Sequence, residues 1–371
     1  MIHTMELIQE IPQYQVRDIL NGFDVPYYKI DRFYRRHGGI SSCSNKLSRN
    51  HPTLGVKKIS VIKQQDTITT GISYYCILRV EPQMLLMQEK TVELFEATLE
   101  NVQRLSDNFH MAMNLFVEDT GFENIVDLSR WKCRRIDYTV NLSFASDAEA
   151  QLFLELIKKT SRYIRTKKKM IQGISARDQS TAEGNGSTKT IFYDKAKQIR
   201  ETYGGISVDE MNRLTEEANG TIRFEVQCKK QKVLSLKKRY GLSSRGILGF
   251  LNEDISHELL SKRYEQAVGE GDFYSLYHAK NRIARSSFGA KKKSDLVHVL
   301  QLIAQARHVD MAREQFIAGK MIKRTDIFVK GSLGTFNNRL KDITSLDVNP
   351  VLIPKERKVT FFHNPIDQIL R

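Results

Sequence analysis

Along this chain, apolar and polar residues alternate in several short runs, the period-two signature of half-buried strands. In residues 131–144, Ile136, Tyr138, Val140 and Leu142 alternate with Arg135, Asp137, Thr139 and Asn141. In 221–228, Ile222, Phe224, Val226 and Cys228 alternate with Arg223, Glu225 and Gln227. Residues 189–195 follow a loop of small and polar residues at 175–188, and read as a strand with Tyr193 and Lys195 on one face. Weaker alternation predicts a first strand at 2–11. Residues 55–62 and 71–80 predict a hairpin across the polar turn Gln64, Gln65, Asp66. Three- and four-residue spacing predicts helices. Val92, Phe95, Leu99, Val102 and Phe109 mark one. Ser146 to Glu149 is a capping box that opens a second, with Leu152, Phe153, Leu156, Ile157 and Ile164 on its apolar face. Two further helices, one after Tyr193 to about Tyr203 and one at 207–218, lead to the turn Asn219-Gly220. Residues 22–55 read as turn-rich, with Tyr27, Tyr28 and Tyr34 among Arg32, Arg35, Arg36, Lys46 and Arg49. That mixture suits contact with bases and backbone, and equally a solvated loop with anchoring tyrosines.

From about residue 241 the helical period prevails, as in 294–304 and 335–346. The shift predicts a domain boundary near 240, with a sheet-bearing domain at 1–240 and a mostly helical one at 241–371. Strands apolar on one side and polar on the other predict an α+β fold: an antiparallel sheet with helices on one face and its polar face open. No internal repeat is evident.

Charge narrows the partner. The 371 residues carry 58 Lys and Arg against 43 Asp and Glu, a net +15, with 40% hydrophobic and 27% charged residues. That surplus favours a polyanion. No apolar run reaches the roughly eighteen residues of a membrane span, and the first residues lack the basic and apolar regions of a signal peptide. Nucleic acid is therefore the expected partner, and the cytoplasm the expected compartment. Cys43, Cys76, Cys133 and Cys228 are scattered without zinc-site spacing, which fits a reducing compartment. Between 158 and 169, seven of twelve residues are basic. They suit a helix C-terminus, and Lys167, Lys168 and Lys169 are candidates for phosphate contact.

If the three clean strands are neighbours, Arg135, Asp137, Tyr193, Lys195, Arg223 and Glu225 converge on one surface. Charged residues are depleted in strands, so three strands carrying them in phase point to chemistry. The chemistry this set suits is phosphodiester transesterification. Tyr193 is the candidate nucleophile. Its ordinary pKa of about 10 calls for help, which Lys195 can give by favouring the phenolate. Asp137 and Glu225 are candidate oxygen ligands for Mg²⁺ or Mn²⁺. Arg135 and Arg223 are candidates for DNA contact. A covalent link conserves the phosphate-bond energy for rejoining.

Three ordered segments, Arg-Arg-Ile-Asp-Tyr-Thr (134–139), Ile-Phe-Tyr-Asp-Lys (191–195) and Ile-Arg-Phe-Glu-Val-Gln (222–227), carry a family resemblance. The chain resembles phage and plasmid rolling-circle replication initiation proteins related to the filamentous-phage gene II and gene X proteins. It is similar, more loosely, to plasmid initiators and the relaxases of integrative elements. The opening Met-Ile-His-Thr and the segment Asn-Pro-Val-Leu-Ile-Pro (349–354) fit the same pattern. The resemblance implies an HUH-nickase-like endonuclease that nicks one strand of a single-stranded or supercoiled origin in a bacterial host. Its tyrosine becomes linked to the 5′ phosphate, the free 3′ hydroxyl serves as primer, and closure follows synthesis by host helicase and polymerase. Tyr193 matches the nucleophile, Asp137 and Glu225 the acidic positions, and Lys195 the basic residue after the tyrosine. One feature departs from the pattern: the His-hydrophobe-His metal motif of many such nickases is absent, and His3, His110 and His298 read as ordinary sheet or helix residues. The metal site then rests on carboxylates.

Two alternatives stand beside this reading, a relaxase for conjugative transfer and a non-catalytic origin-binding regulator. The Arg…His-x-x-Arg…Tyr arrangement of a tyrosine recombinase is not found. RNA binding leaves the acidic strand positions unexplained. In the helical part, the basic segment 323–341 includes a helix at 336–341 whose Arg339 can reach a DNA groove or pack against the sheet-bearing domain.

Overall fold

The computed structural model describes residues 1–21, 24–36, 39–46, 55–65, 71–120, 127–160, 180–184, 186–202 and 207–370. Its first half runs β1 (Ile2–Ile11), α1 (Gln13–Asn21), α2 (Tyr27–Arg35), β2 (Ile40–Lys46), β3 (Val56–Gln65), β4 (Ile72–Val80), α3 (Pro82–Met87), α4 (Leu99–Thr120) and β5 (Lys132–Ser143). Next come α5 (Asp147–Ile157), β6 (Ser180–Gly184), β7 (Thr188–Asp194), α6 (Lys195–Thr202), α7 (Val208–Glu217), β8 (Thr221–Cys228) and α8 (Lys230–Arg239). The remainder is mostly helical: α9 (Glu253–Ala267), β9 (Phe273–Tyr274), α10 (Leu276–Arg285), α11 (Ala290–Ala306), α12 (Val309–Ala318), β10 (Lys320–Met321), β11 (Phe328–Val329), α13 (Leu333–Thr344), β12 (Phe361–Phe362) and α14 (Asp367–Leu370).

The fold is α+β. Eight strands form one sheet in the order β2-β3-β4-β1-β5-β8-β7-β6, and every pairing in it is antiparallel. The order is mirrored about its middle. β1 and β5 meet at a central seam, and outward from each come the last, middle and first strands of its own half. No sequence repeat announces this, because the two halves share strand order and not residues.

Period-two alternation buries one face. Phe192 of β7 and Phe224 of β8 stack at 4.5 Å between ring centroids. Tyr264 of α9 lies edge-on to Phe224 at 5.8 Å, and Phe153 of α5 edge-on to Phe192 at 6.3 Å. The Tyr138 hydroxyl of β5 donates to the Phe250 carbonyl at 2.9 Å, which satisfies a polar group inside an apolar layer. The helices beyond residue 240 thus cover the apolar face of β5 and β8, and one hydrophobic cluster runs from Ile2 to Ile369.

Local chemistry sets several boundaries. The Ser146 side chain accepts from the Glu149 amide at 3.3 Å, and the Glu149 carboxylate accepts from the Ala145 amide at 3.1 Å, so α5 starts where its capping box lies. Gly220 takes φ +66° between α7 and β8, and a Cβ there would sit 2.6 Å from the Phe144 carbonyl oxygen. Other elements differ from the sequence reading. The turn-rich stretch after residue 22 holds a helix, α2, and an edge strand, β2. The helix expected from Val92 begins only at Leu99, because Phe95 exchanges two backbone hydrogen bonds with Ile2 and holds 92–95 extended. The basic stretch 229–239 is helical as α8. Ile164 and Arg49 lie outside the described residues.

Replacing Phe224 by Ala removes the ring on which Phe192 and Tyr264 pack. It is expected to cost about 3–5 kcal/mol, read as a lower denaturant midpoint for unfolding.

Candidate active site on the polar face of the sheet

β5, β8 and β7 are consecutive in the sheet, so the three motif-bearing strands are neighbours. Across the first pair, Asp137 lies opposite Gln227, Thr139 opposite Glu225, and Asn141 opposite Arg223. Across the second, Glu225 lies opposite Ile191 and Arg223 opposite Tyr193. Since Phe192 and Phe224 point into the core, alternation turns Tyr193, Arg223 and Glu225 to the other face.

Two buried carboxylates form the centre. Asp137 is 1% exposed and Glu225 is 4% exposed. Arg135 grips Asp137 through two bonds, Nε to Oδ1 at 2.8 Å and Nη2 to Oδ2 at 2.6 Å. Glu225 accepts from Gln227 Nε2 at 2.6 Å, and its other oxygen lies 3.3 Å from His3 Nδ1. Burial and the Glu225 charge outweigh Arg135 and push Asp137 up to about 7. Burial alone would raise Glu225 as well, but His3, Gln227 and Arg135 bring it down to about 2. Burial pushes His3 below its ordinary value, against its hydrogen bond with Glu225. His3 acts on Glu225 through that hydrogen bond and through its charge. Sequence reasoning read His3 as an ordinary sheet or helix residue. Its signal was weak, a histidine on a first strand whose pairing with β5 only the fold reveals.

Lys195 departs from the strand reading. β7 ends at Asp194, whose Oδ1 accepts from the Lys197 amide at 2.9 Å and caps α6. Lys195 is therefore the first helical residue and is buried. Its Nζ donates to Gln198 Oε1 at 2.8 Å. Burial pushes its pKa well below the usual lysine value, Arg223 adds to this, and Glu81 and Glu225 oppose it. It remains in the electrostatic neighbourhood of Glu225, but as an amine easily deprotonated.

The polar face is also less open than alternation suggested. Arg223 is buried, with Nε donating to Asn141 Oδ1 at 2.9 Å and Nη2 donating to the Val92 carbonyl. Asn141 donates to the same carbonyl at 3.2 Å. Val92 packs in turn with Ala196, Ile199, Leu214 and Ala218 of the α6–α7 pair. The stretch around Val92 thus straps the sheet at this end, leaving His3, Gln227 and Tyr193 partly exposed. By strand geometry the Cα atoms of Tyr193 and Glu225 are about 8 Å apart, and those of Tyr193 and Asp137 about 16 Å. The structure therefore brings Asp137, Glu225 and Arg135 together, sets Tyr193 one strand from Glu225, and keeps Tyr193 away from Asp137.

The arginines expected to touch DNA are engaged inside the protein. Arg135 serves Asp137, and Arg223 serves Asn141 and Val92. Arg339 donates to Asp295 at 2.9 Å with its guanidinium 5.2 Å from the Phe316 ring centre. Lys167, Lys168 and Lys169 lie outside the described residues. Among the described residues no three His, Cys, Asp or Glu side chains gather as a metal site, so the carboxylate pair stands alone. No described helix is long and apolar enough to cross a membrane. Comparison with family models, with curated proteins and with solved structures finds no match to this chain.

The carboxylate pair has a pH signature. Asp137 is raised in the fold, so it lowers stability as pH climbs from its unfolded value near 4 to about 7, and the loss levels off above that. Glu225 is lowered, so the stability it contributes is present above its unfolded value and fades as pH falls toward about 2. Asp137→Asn is expected to flatten the decline in melting temperature between about pH 4 and 7. Glu225→Gln should remove the rise on the acid side. Thermal unfolding followed by circular dichroism across pH reads both.

Proposed function

We propose that this protein is a rolling-circle replication initiator of HUH-nickase-like type, which cuts and rejoins one DNA strand through a tyrosine–phosphate intermediate. The observation that carries this reading is the adjacency of β5, β8 and β7, with Tyr193, Glu225 and Asp137 in phase on one face. The order of the three sequence segments and the net charge of +15 support it.

In this reading the Tyr193 hydroxyl oxygen attacks the scissile phosphorus. The new bond is a phosphotyrosine ester to the 5′ side. The bond to the 3′ oxygen breaks, and that oxygen takes a proton and leaves as a hydroxyl. Lys195, whose pKa burial pushes well below the usual lysine value, is the residue this reading assigns to accept the phenolic proton. Rejoining reverses each step, with the 3′ hydroxyl attacking the phosphotyrosine. Asp137 and Glu225 would hold Mg²⁺ or Mn²⁺. The fit rests on their oxygen chemistry, on the lone pairs that remain beyond their present bonds, and on the closeness of the two carboxylates, since burial first and the Glu225 charge second raise Asp137 to about 7. Such an ion supplies Lewis-acid polarisation of the phosphate. His3 and Gln227 orient Glu225 at the edge from which a DNA strand can enter.

A second reading, a nucleic-acid-binding regulator without catalysis, is favoured by the distance of Tyr193 from Asp137 and by the engagement of both carboxylates with Arg135, His3 and Gln227. Incubation with a supercoiled origin plasmid and Mn²⁺ separates the two. Wild type is expected to give nicked circles and a covalent adduct on a labelled 5′ end. Tyr193→Phe is expected to give neither, and equal nicking by both proteins would remove Tyr193 from the chemistry. Asp137→Ala and Glu225→Ala should lose cleavage by at least about a hundredfold, the scale on which charge-stabilising groups act, while still binding DNA in a mobility-shift assay. Lys195→Gln should lower the nicking rate and abolish the rate increase with pH that a titrating base produces.

A further inference from the structure

With Arg135, Arg223 and Arg339 engaged internally, a group of cations on the polar side of the sheet remains across the central seam from Tyr193. A hollow of about 180 Å³ there is lined by Lys58, Arg79, Arg134, Ser44 and Ser60 together with the Glu6 carboxylate. Register builds it. Ser44 pairs with Ser60 across β2 and β3, Lys58 with Arg79 across β3 and β4, Arg79 with Glu6 across β4 and β1, and Glu6 with Arg135 across β1 and β5. A register shift after Glu6 places Cys133 opposite Leu7 and leaves Arg134 as the extra residue. Arg134 and Arg135 therefore both reach Glu6, at 2.6 and 3.7 Å.

Glu6 is thus neutralised by its arginines. Glu6 lies opposite Arg79 and Asp137 feels the Arg79 charge, but among the described residues the side chains of Lys58 and Arg79 form no salt bridge or hydrogen bond, so their donors remain open to an acceptor. Ser44 and Ser60 share one hydrogen bond at 2.9 Å, which uses one of their two hydroxyl protons and leaves the other for an acceptor. Ser60 is buried and Lys58 half-buried, while Arg79 is exposed. Two cations converging with hydroxyl donors in a concave polar surface match a phosphate group. Past Glu6, which Arg134 holds, the row continues to Arg135 and Asp137, and its length suits an extended polyanion better than a free ion.

We propose that this hollow holds a backbone phosphate of single-stranded DNA, and so lays the strand across β4 and β1 toward the carboxylate pair. The assignment rests on the reading of the chain as a DNA-nicking protein and adds to it a second contact, outside the three motif strands.

The test is the affinity of the full chain for a fluorescein-labelled oligothymidylate of about 30 nucleotides, read by anisotropy over a series of NaCl concentrations. Lys58→Gln with Arg79→Gln is expected to weaken binding about tenfold near 0.1 M salt. It should also reduce the slope of log K against log salt by about 1.4, or roughly 0.7 for each of two phosphate contacts. An unchanged melting temperature establishes that the fold is intact. Three results would overturn the proposal: unchanged affinity and slope; an equal loss from Lys237→Gln with Lys238→Gln, which lie in the last turn of α8 outside the hollow; or polyglutamate competing as well as unlabelled oligothymidylate. Binding is read without cleavage, so a protein that forms no tyrosine adduct still reports on the hollow.

Discussion

The stack of Phe192 on Phe224 beneath Tyr264 constrains everything on the opposite face. A one-residue slip of β7 against β8 would carry Phe192 out of the core and Tyr193 into it. The large aromatic area lost makes that slip prohibitive, since each such ring buries on the order of 150–250 Å². The polar residues are held in phase by what lies on the other side of the sheet, and the helices beyond residue 240 are part of that clamp. The polar residues of one face are thus positioned by packing on the other.

Burying two carboxylates side by side is costly, and the arrangement shows how the cost is divided. Asp137 receives a two-pronged guanidinium, the geometry that best offsets desolvation. Glu225 receives an amide and an imidazole. Burial first, and the neighbouring Glu225 charge second, outweigh that guanidinium, and Asp137 answers by rising toward neutrality. A site in this condition favours a proton or a cation. In that respect the acids differ from ordinary structural ion pairs, whose partners are matched one to one.

Much of this was legible in the sequence because strand alternation is local. The faces of 134–139 and 222–227 could be assigned from residue order alone, and so could the cap at Ser146. What was not legible depended on pairing between distant segments. Lys195 shared the phase of Tyr193 on paper, but Asp194 ends the strand and starts a helix, turning the lysine inward. Val92 and Phe95 carry a helical spacing that Ile2 overrides by offering a strand edge. His3 looked incidental until the central seam set it beside Glu225. The arginines named for DNA contact were chosen for charge, and charge says nothing about internal partners. The mirrored strand order left no trace, since topology can repeat while residues do not.

The mirrored order also bears on how the chain acquires its structure. β1 emerges first yet sits at the centre, and β5 waits for β8 across nearly the whole of the second half. The apolar side of β5 and β8 is sealed only when α9 docks. Pairings this distant in sequence fold slowly, and an uncovered sheet face is prone to stick to its neighbours meanwhile. A nascent chain that has made every strand of the sheet still presents that face to the cell until the following helix arrives.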